Sequence, residues 1–154
     1  MTTTFNAEQF EQTVVDGANQ TSFVPIPEAD YTAYVEEYSF RELQVQGEQR
    51  IICAVSWVIP DEDLAKELSM QEIKVKQDIW LDLTDDGNLD FGTNKNVQLG
   101  RLRQALDLNT PGFQWSALQG KQALISIAHT QKKDDPSVVY SNVVKTSKIE
   151  GVTI

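Results

Sequence analysis

The order of regular elements constrains this chain most: three strand-like runs, one helix-like run, then two more strand-like runs. The strand-like runs lie near 31–44, 50–59, 71–83, 121–130 and 137–146, and the helix near 94–108. This pattern predicts a mainly β domain: a five-stranded barrel with a helix between strands three and four. A chain of 154 residues, 40% of them hydrophobic, suits one domain with a single core.

Residues 1–24 read as an N-terminal arm, 25–148 as the barrel domain and 149–154 as a short tail. In the arm, Phe5, Phe10 and Val14 either share one side of a short helix or tack an extended segment onto the barrel. The first strand alternates Tyr31, Ala33 and Val35 with Thr32, Tyr34 and Glu36, and Glu36-Glu37 breaks the alternation as a bulge does. The second, Ile51 to Ile59, is apolar on both sides, as a well-covered central strand is. Pro60 ends it, and Asp61 is a suitable N-cap for a short inserted helix over 62–68.

The third strand is the clearest. Ile73, Val75, Ile79, Leu81 and Leu83 face one way, while Lys74, Lys76, Asp78, Trp80 and Asp82 face the other, and Gln77 interrupts the apolar row. Asp85-Asp86-Gly87-Asn88 is a tight turn. Leu99, Leu102 and Leu106 recur at helical spacing with Val97 a turn earlier; Gly100 suggests close packing, and Arg101 and Arg103 read as solvated. Trp57 and Trp115 belong to the core or to linker packing. Ala123, Ile125 and Ile127 mark the fourth strand, and Val138 to Val144 the fifth.

Composition narrows the function classes. No apolar run is long enough to span a bilayer, and the start lacks a basic then apolar leader, so no membrane or secretory role is expected. A lone cysteine, Cys53, excludes an internal disulfide and a Cys-rich zinc site, and a reduced cytoplasm fits best. The net charge of −10 argues against nucleic acid until its distribution is considered. Residues 1–70 hold 13 acids against Arg41, Arg50 and Lys66 (3 − 13 = −10), whereas 71–154 hold 10 acids and 10 cations. The second half can therefore present a local basic patch.

The element order is that of an OB-fold. Four stretches carry a closer resemblance: Pro25-Ile26-Pro27-Glu28-Ala29-Asp30-Tyr31-Thr32-Ala33-Tyr34-Val35, Leu99-Gly100-Arg101-Leu102-Arg103-Gln104-Ala105-Leu106-Asp107-Leu108, Leu118-Gln119-Gly120-Lys121, and Tyr140-Ser141-Asn142-Val143-Val144. In their succession over most of 25–148 the chain resembles the OB-fold single-stranded-DNA-binding proteins of tailed bacteriophages. The resemblance implies sequence-tolerant single-strand binding in phage DNA replication or recombination, no catalytic residues and no cofactor. It also implies the host cytoplasm as the compartment and replication or recombination proteins as further partners; a homo-oligomer is compatible with it. The last residues, Lys148 to Ile154, lack an acidic tail of the kind that recruits partners, so recruitment by a tail is not expected.

Single-strand binding needs aromatic faces for bases and cations for phosphates. Lys74, Lys76 and Trp80 meet that need on one strand face, unless the inserted helix or the arm covers the indole. Lys132 and Lys133 fall in the loop between the last two strands, although Asp134-Asp135 beside them also suits an ordinary charged hairpin tip. Arg50 and Tyr140 complete the expected set.

Other chemistry finds little footing. A calcium-loop-like spacing from Asp82 to Asp90 has Thr93 where a bidentate Glu is required. His129 is the sole histidine, so no second imidazole can complete a metal cluster or triad. The acidic pairs Asp85-Asp86 and Asp134-Asp135 sit in turns that favour Asp anyway. The expectation is a non-enzymatic binder without a metal site. Its alternative is an acidic OB-like interaction protein whose first half docks a basic host or phage partner, as a DNA mimic does.

Overall fold

The computed structural model describes residues 4–20 and 23–149. Five strands form one antiparallel sheet: β1 (Asp30–Val45), β2 (Glu48–Ile59), β3 (Ile73–Leu81), β4 (Gln122–Gln131) and β5 (Val139–Ser147). Among the described residues three short helices accompany it, α1 (Ala7–Glu11), α2 (Glu62–Glu67) and α3 (Val97–Ala105), with a 3-10 turn at Trp115–Leu118. The element order agrees with the expected one, and α2 is the insertion after β2, its N-terminus capped by the Asp61 carboxylate on the Leu64 amide at 3.0 Å. No helix among the described residues is long and apolar enough to cross a membrane. The tail beyond 149 lies outside the described residues.

The sheet runs β3-β2-β1-β4-β5. Its long first strand serves two neighbours: Asp30 to Tyr34 pair with β4, and Tyr34 to Val45 pair with β2. A strand can change partners this way only by bending, and the register shift between Val35 and Glu37 marks a bulge at the place where the sequence loses alternation. A second bulge, at Val144 of β5, lies opposite Ser126 and Ile127. The resulting curl brings the edge strands β3 and β5 within 8 Å (Cα–Cα). No ladder joins them among the described residues, so the sheet is open where the sequence predicts a closed barrel. Helix α3 packs against both edges, and its Gln98 and Arg101 line the cleft left between Gln77 and Val144–Thr146.

The inward face of the sheet carries the core. Trp57, Val55, Cys53, Val35, Ile73, Ile79 and Ile125 are fully buried against Leu99 and Leu102 of α3 and Leu118 of the 3-10 turn. Along β3 burial alternates without exception, and the polar intruder Gln77 is buried too. It is tolerated because its Oε1 accepts the indole Nε1–H of Trp57 at 2.9 Å, so two buried polar groups satisfy each other.

Three expectations for the helix region need correction. Val97 stays exposed rather than joining the leucine stripe. A Cβ placed on Gly100 meets nothing within 4 Å, so close packing does not demand glycine there. Arg103 is buried, not solvated. Its guanidinium donates to the carbonyls of Leu108 (3.2 Å) and Thr110 (3.0 Å) and stacks over Phe113, tying the chain after the helix back onto it.

Burial also decides the chemistry of Cys53. Desolvation pushes its thiol up to about 11 from 9.0, so it stays neutral at physiological pH. The native chain is therefore expected to resist thiol reagents until it unfolds. Because the folded pKa lies above the unfolded value, stability from this site is complete below pH 9.0 and lost as pH rises toward about 11. Thiol titration against urea at several alkaline pH values checks both; rapid labelling of the folded protein at neutral pH contradicts them.

The segment before β1 is fastened to the far side of the sheet. The Ile26 amide donates to Ser141 Oγ at 2.8 Å, the Ile127 amide to the Ala29 carbonyl at 2.9 Å, and the His129 amide to the Glu28 carboxylate at 2.9 Å. The His129 ring Nε2 meets the Ile26 carbonyl, which gives the single imidazole a structural post. Ahead of this fastening, residues 4–20 are exposed throughout. Asn6 caps α1 through the Gln9 amide, and Phe5 and Phe10 touch each other at 5.5 Å, but no residue of α1 is buried.

Candidate nucleic-acid interface

The outward face of β1, β2 and β3 is set by the register of three strands. Ile52 of β2 lies between Arg41 of β1 and Trp80 of β3; Ala54 lies between Ser39 and Asp78; Val58 lies between Tyr34 and Lys74. Ile52, Ala54 and Val58 point away from the core, yet all three are buried. Long side chains from the flanking strands roof them over, their stems on the apolar floor and their heads toward solvent. That roof is the candidate surface.

Its aromatic element is Trp80, 40% exposed. Arg50, at the start of β2, holds its guanidinium 5.5 Å from the indole centroid and 3.8 Å from the Asp82 carboxylate. One side of the ring is thereby lined by a cation. Arg41 pairs with Asp78, and this bridge crosses β2 above Ile52 and Ala54. Lys74 binds Glu36 at 3.2 Å and Glu72 at 3.6 Å. The bulge on β1 brings Glu36 to that lysine, and the hydrogen bond with Glu36, reinforced by both carboxylate charges, raises the Lys74 pKa. Lys76, exposed between them, forms no ion pair among the described residues.

These pairings change the electrostatic picture drawn from sequence. Three of the four cations on this face are already matched to carboxylates, so the surface is a lattice of exposed ion pairs rather than a cationic strip. Exposed pairs of this kind are weak, on the order of 1 kcal/mol or less, and a phosphate can take over the cation. Direction matters as well. Past Trp80, beyond Asp82, a cleft of about 340 Å³ collects Glu48, Asp82, Asp85 and Asp90 with Arg50 and Lys95. A polyanion leaving Trp80 meets fewer acids by running back along β3 toward Lys76, four residues or about 13 Å away.

Other expected site residues stand apart. Lys132 and Lys133 are exposed in the β4–β5 loop, and Tyr140 is half-exposed on β5 opposite Thr130. No hydrogen bond, ion pair or aromatic contact among the described residues joins them to the Trp80 face. Asp135, next to those lysines, holds the loop: its carboxylate accepts from the Ser137 amide (3.1 Å) and hydroxyl (2.6 Å), which lowers its pKa. The other acidic turn is tied down by Asn96, whose side chain bonds the Asp82 amide (2.8 Å) and the Asp82 (2.8 Å) and Asp90 (3.0 Å) carbonyls. Among the described residues no three His, Cys, Asp or Glu side chains are grouped as metal ligands.

Sequence reasoning missed Arg41. The signal was the pairing register: only the alignment Arg41–Ile52–Trp80 places it on the same face as the indole, one strand removed. A second aromatic group, Phe40 against Trp115 at 4.9 Å and Phe113 against Trp115 at 5.3 Å, packs linker to sheet on the opposite face of β1, next to Arg41 in sequence, and accounts for Trp115. Comparison with family models, with curated proteins and with solved structures finds no match for this chain.

Proposed function

We propose that the protein binds single-stranded DNA without strong sequence preference, through the outward face of β1–β3, and that its sheet is a variant OB-fold whose β3 and β5 edges stay apart. As a non-enzymatic phage-type binder it would coat strands exposed in replication or recombination. The observation that carries this reading is Trp80: a large aromatic ring partly open on a strand face, with Arg50 against it and Arg41 and Lys76 farther along the same face. Every base offers a π-face, so such a ring recognises single strands irrespective of sequence, while a duplex keeps its bases stacked inside. Lys132, Lys133 and Tyr140 serve as a second grip on a longer strand. The rival reading, an acidic surface that docks a basic protein, draws on the surplus of acids in residues 1–70 and on a cleft where Glu48 meets Asp82, Asp85 and Asp90 beside Arg50 and Lys95.

A mobility shift with labelled oligo-dT against duplex of equal length tests the proposal. Preference for the single strand is the expected result; no shift at low salt with tens of micromolar protein supports the acidic-docking alternative. The salt dependence adds detail. With phosphates on Lys74, Lys76, Lys132 and Lys133 the slope of log K against log salt is about −2.8, from about −0.7 per phosphate. If Lys74 keeps Glu36 and Glu72 instead, the slope is about −2.1.

A further inference from the structure

The arm and the β3–β5 cleft are the two features that the proposed function does not use, and they are complementary. Phe5, Phe10, Val14 and Val15 are 65–81% exposed, so the arm shows solvent an apolar surface that its own fold does not cover. Residues 4–20 also contain Glu8, Glu11 and Asp16 and no Lys or Arg. The cleft has the opposite charge. It holds about 520 Å³ and is lined by Gln77, Gln98, Arg101, Val144, Lys145 and Thr146, with no carboxylate among them. Neither Arg101 nor Lys145 forms an ion pair among the described residues.

The cleft also has apolar and backbone features that suit a peptide. Val144 is exposed because the bulge turns it out of the β5 ladder, and Val97, next to the lining residue Gln98, is exposed one helical turn before Arg101. Its walls β3 and β5 are sheet edges, each paired on one side only, so backbone groups on the cleft side have no ladder partner. A segment with exposed aromatic and acidic side chains, as α1 and Phe5 before it present them, matches the charge and the apolar side chains of the cleft together.

We infer that the N-terminal arm of one copy docks in the β3–β5 cleft of a second copy, with Phe5 and Phe10 against Val97 and Val144, and with Glu8 and Glu11 facing Arg101 and Lys145. The own chain is not the occupant, since its arm stands clear of its own sheet with every large apolar side chain open. A second copy supplies the cover that the arm lacks. Reciprocal docking closes a two-fold dimer.

Sedimentation velocity of the full chain over a range of concentrations tests this. The 17.3 kDa chain is expected to associate to twice that mass. Two charge-reversed proteins, Glu8→Lys/Glu11→Lys and Arg101→Glu/Lys145→Glu, each stay monomeric or dimerise at least about tenfold more weakly. Mixing the two restores the dimer, since each arm then meets a cleft of opposite sign. Circular dichroism establishes that both are folded, and because all four positions are solvent-exposed, recovery on mixing cannot come from refolding. Phe10→Ser weakens association in the same direction. A wild-type chain that stays monomeric at hundreds of micromolar overturns the inference, as does a dimer that neither reversal disturbs. A cleft reversal that lowers oligo-dT affinity while leaving the mass distribution unchanged also overturns it, and makes the cleft a phosphate contact instead.

Discussion

Trp80→Ala lowers affinity for oligo-dT by about 1–3 kcal/mol, roughly 5- to 150-fold, while leaving the fold in place. The size follows from what the ring does. It offers a stacking face that no cation can replace, and Arg50 beside it loses the surface on which it is aligned. Thermal stability changes little by comparison, because Trp80 is a roof residue and the inward face of β3 is intact without it. Ile52 becomes partly exposed, which accounts for a modest loss. Trp80→Phe recovers part of the affinity, since a smaller ring still stacks. Equal affinity in wild type and Trp80→Ala removes the indole from the interface.

Trp57→Ala has the larger effect on folding. Trp57 is the bulkiest fully buried side chain, and truncating so large a residue costs about 3–5 kcal/mol. The substitution also strips Gln77 Oε1 of its donor inside the core, which adds on the order of 1–3 kcal/mol. Small domains have about 5–15 kcal/mol in all, so the variant is largely or wholly unfolded at physiological temperature. The pair can be separated from simple volume loss. Gln77→Leu leaves the indole N–H unsatisfied and is destabilising alone, whereas Gln77→Leu combined with Trp57→Phe removes both polar groups and costs less than the two single changes added. Urea unfolding of the four proteins checks this; strict additivity means the Trp57–Gln77 bond carries no weight of its own.

β3, β4 and the start of β1 were legible because their burial has a period of two, and β2 because it is a continuous apolar run. β3 shows it residue by residue, and even the bulge on β1 shows as a lapse in alternation at Glu36-Glu37. What sequence pattern cannot carry is anything set by partners distant in the chain. Closure of the barrel depends on the gap between β3 and β5, strands far apart in the chain, and α3 packs against both edges of that gap. Arg103 carries a charge and so reads as solvated; its acceptors, the carbonyls of Leu108 and Thr110, exist only once the chain after α3 turns back.

The candidate site divides in the same way. Lys74, Lys76 and Trp80 share a face by simple alternation within one strand, and the structure places them so. Arg41 joins them only through a register across β2, and the carboxylates that match Arg41, Arg50 and Lys74 come from other strands or from a bulge. The basic face expected from the charge count is in consequence an ion-paired one. Phosphate binding there exchanges one partner for another, which keeps the expected salt slope shallow.

The most direct measurement is intrinsic tryptophan fluorescence during titration with oligo-dT at low salt. Trp57 is sealed in the core and Trp115 is packed between Phe40 and Phe113, which leaves Trp80 as the reporter on the outward face. Saturable quenching in the wild type, absent with duplex and lost in Trp80→Phe, is the predicted result. Emission unchanged by oligo-dT, or quenched equally in Trp80→Phe, contradicts single-strand binding on this face.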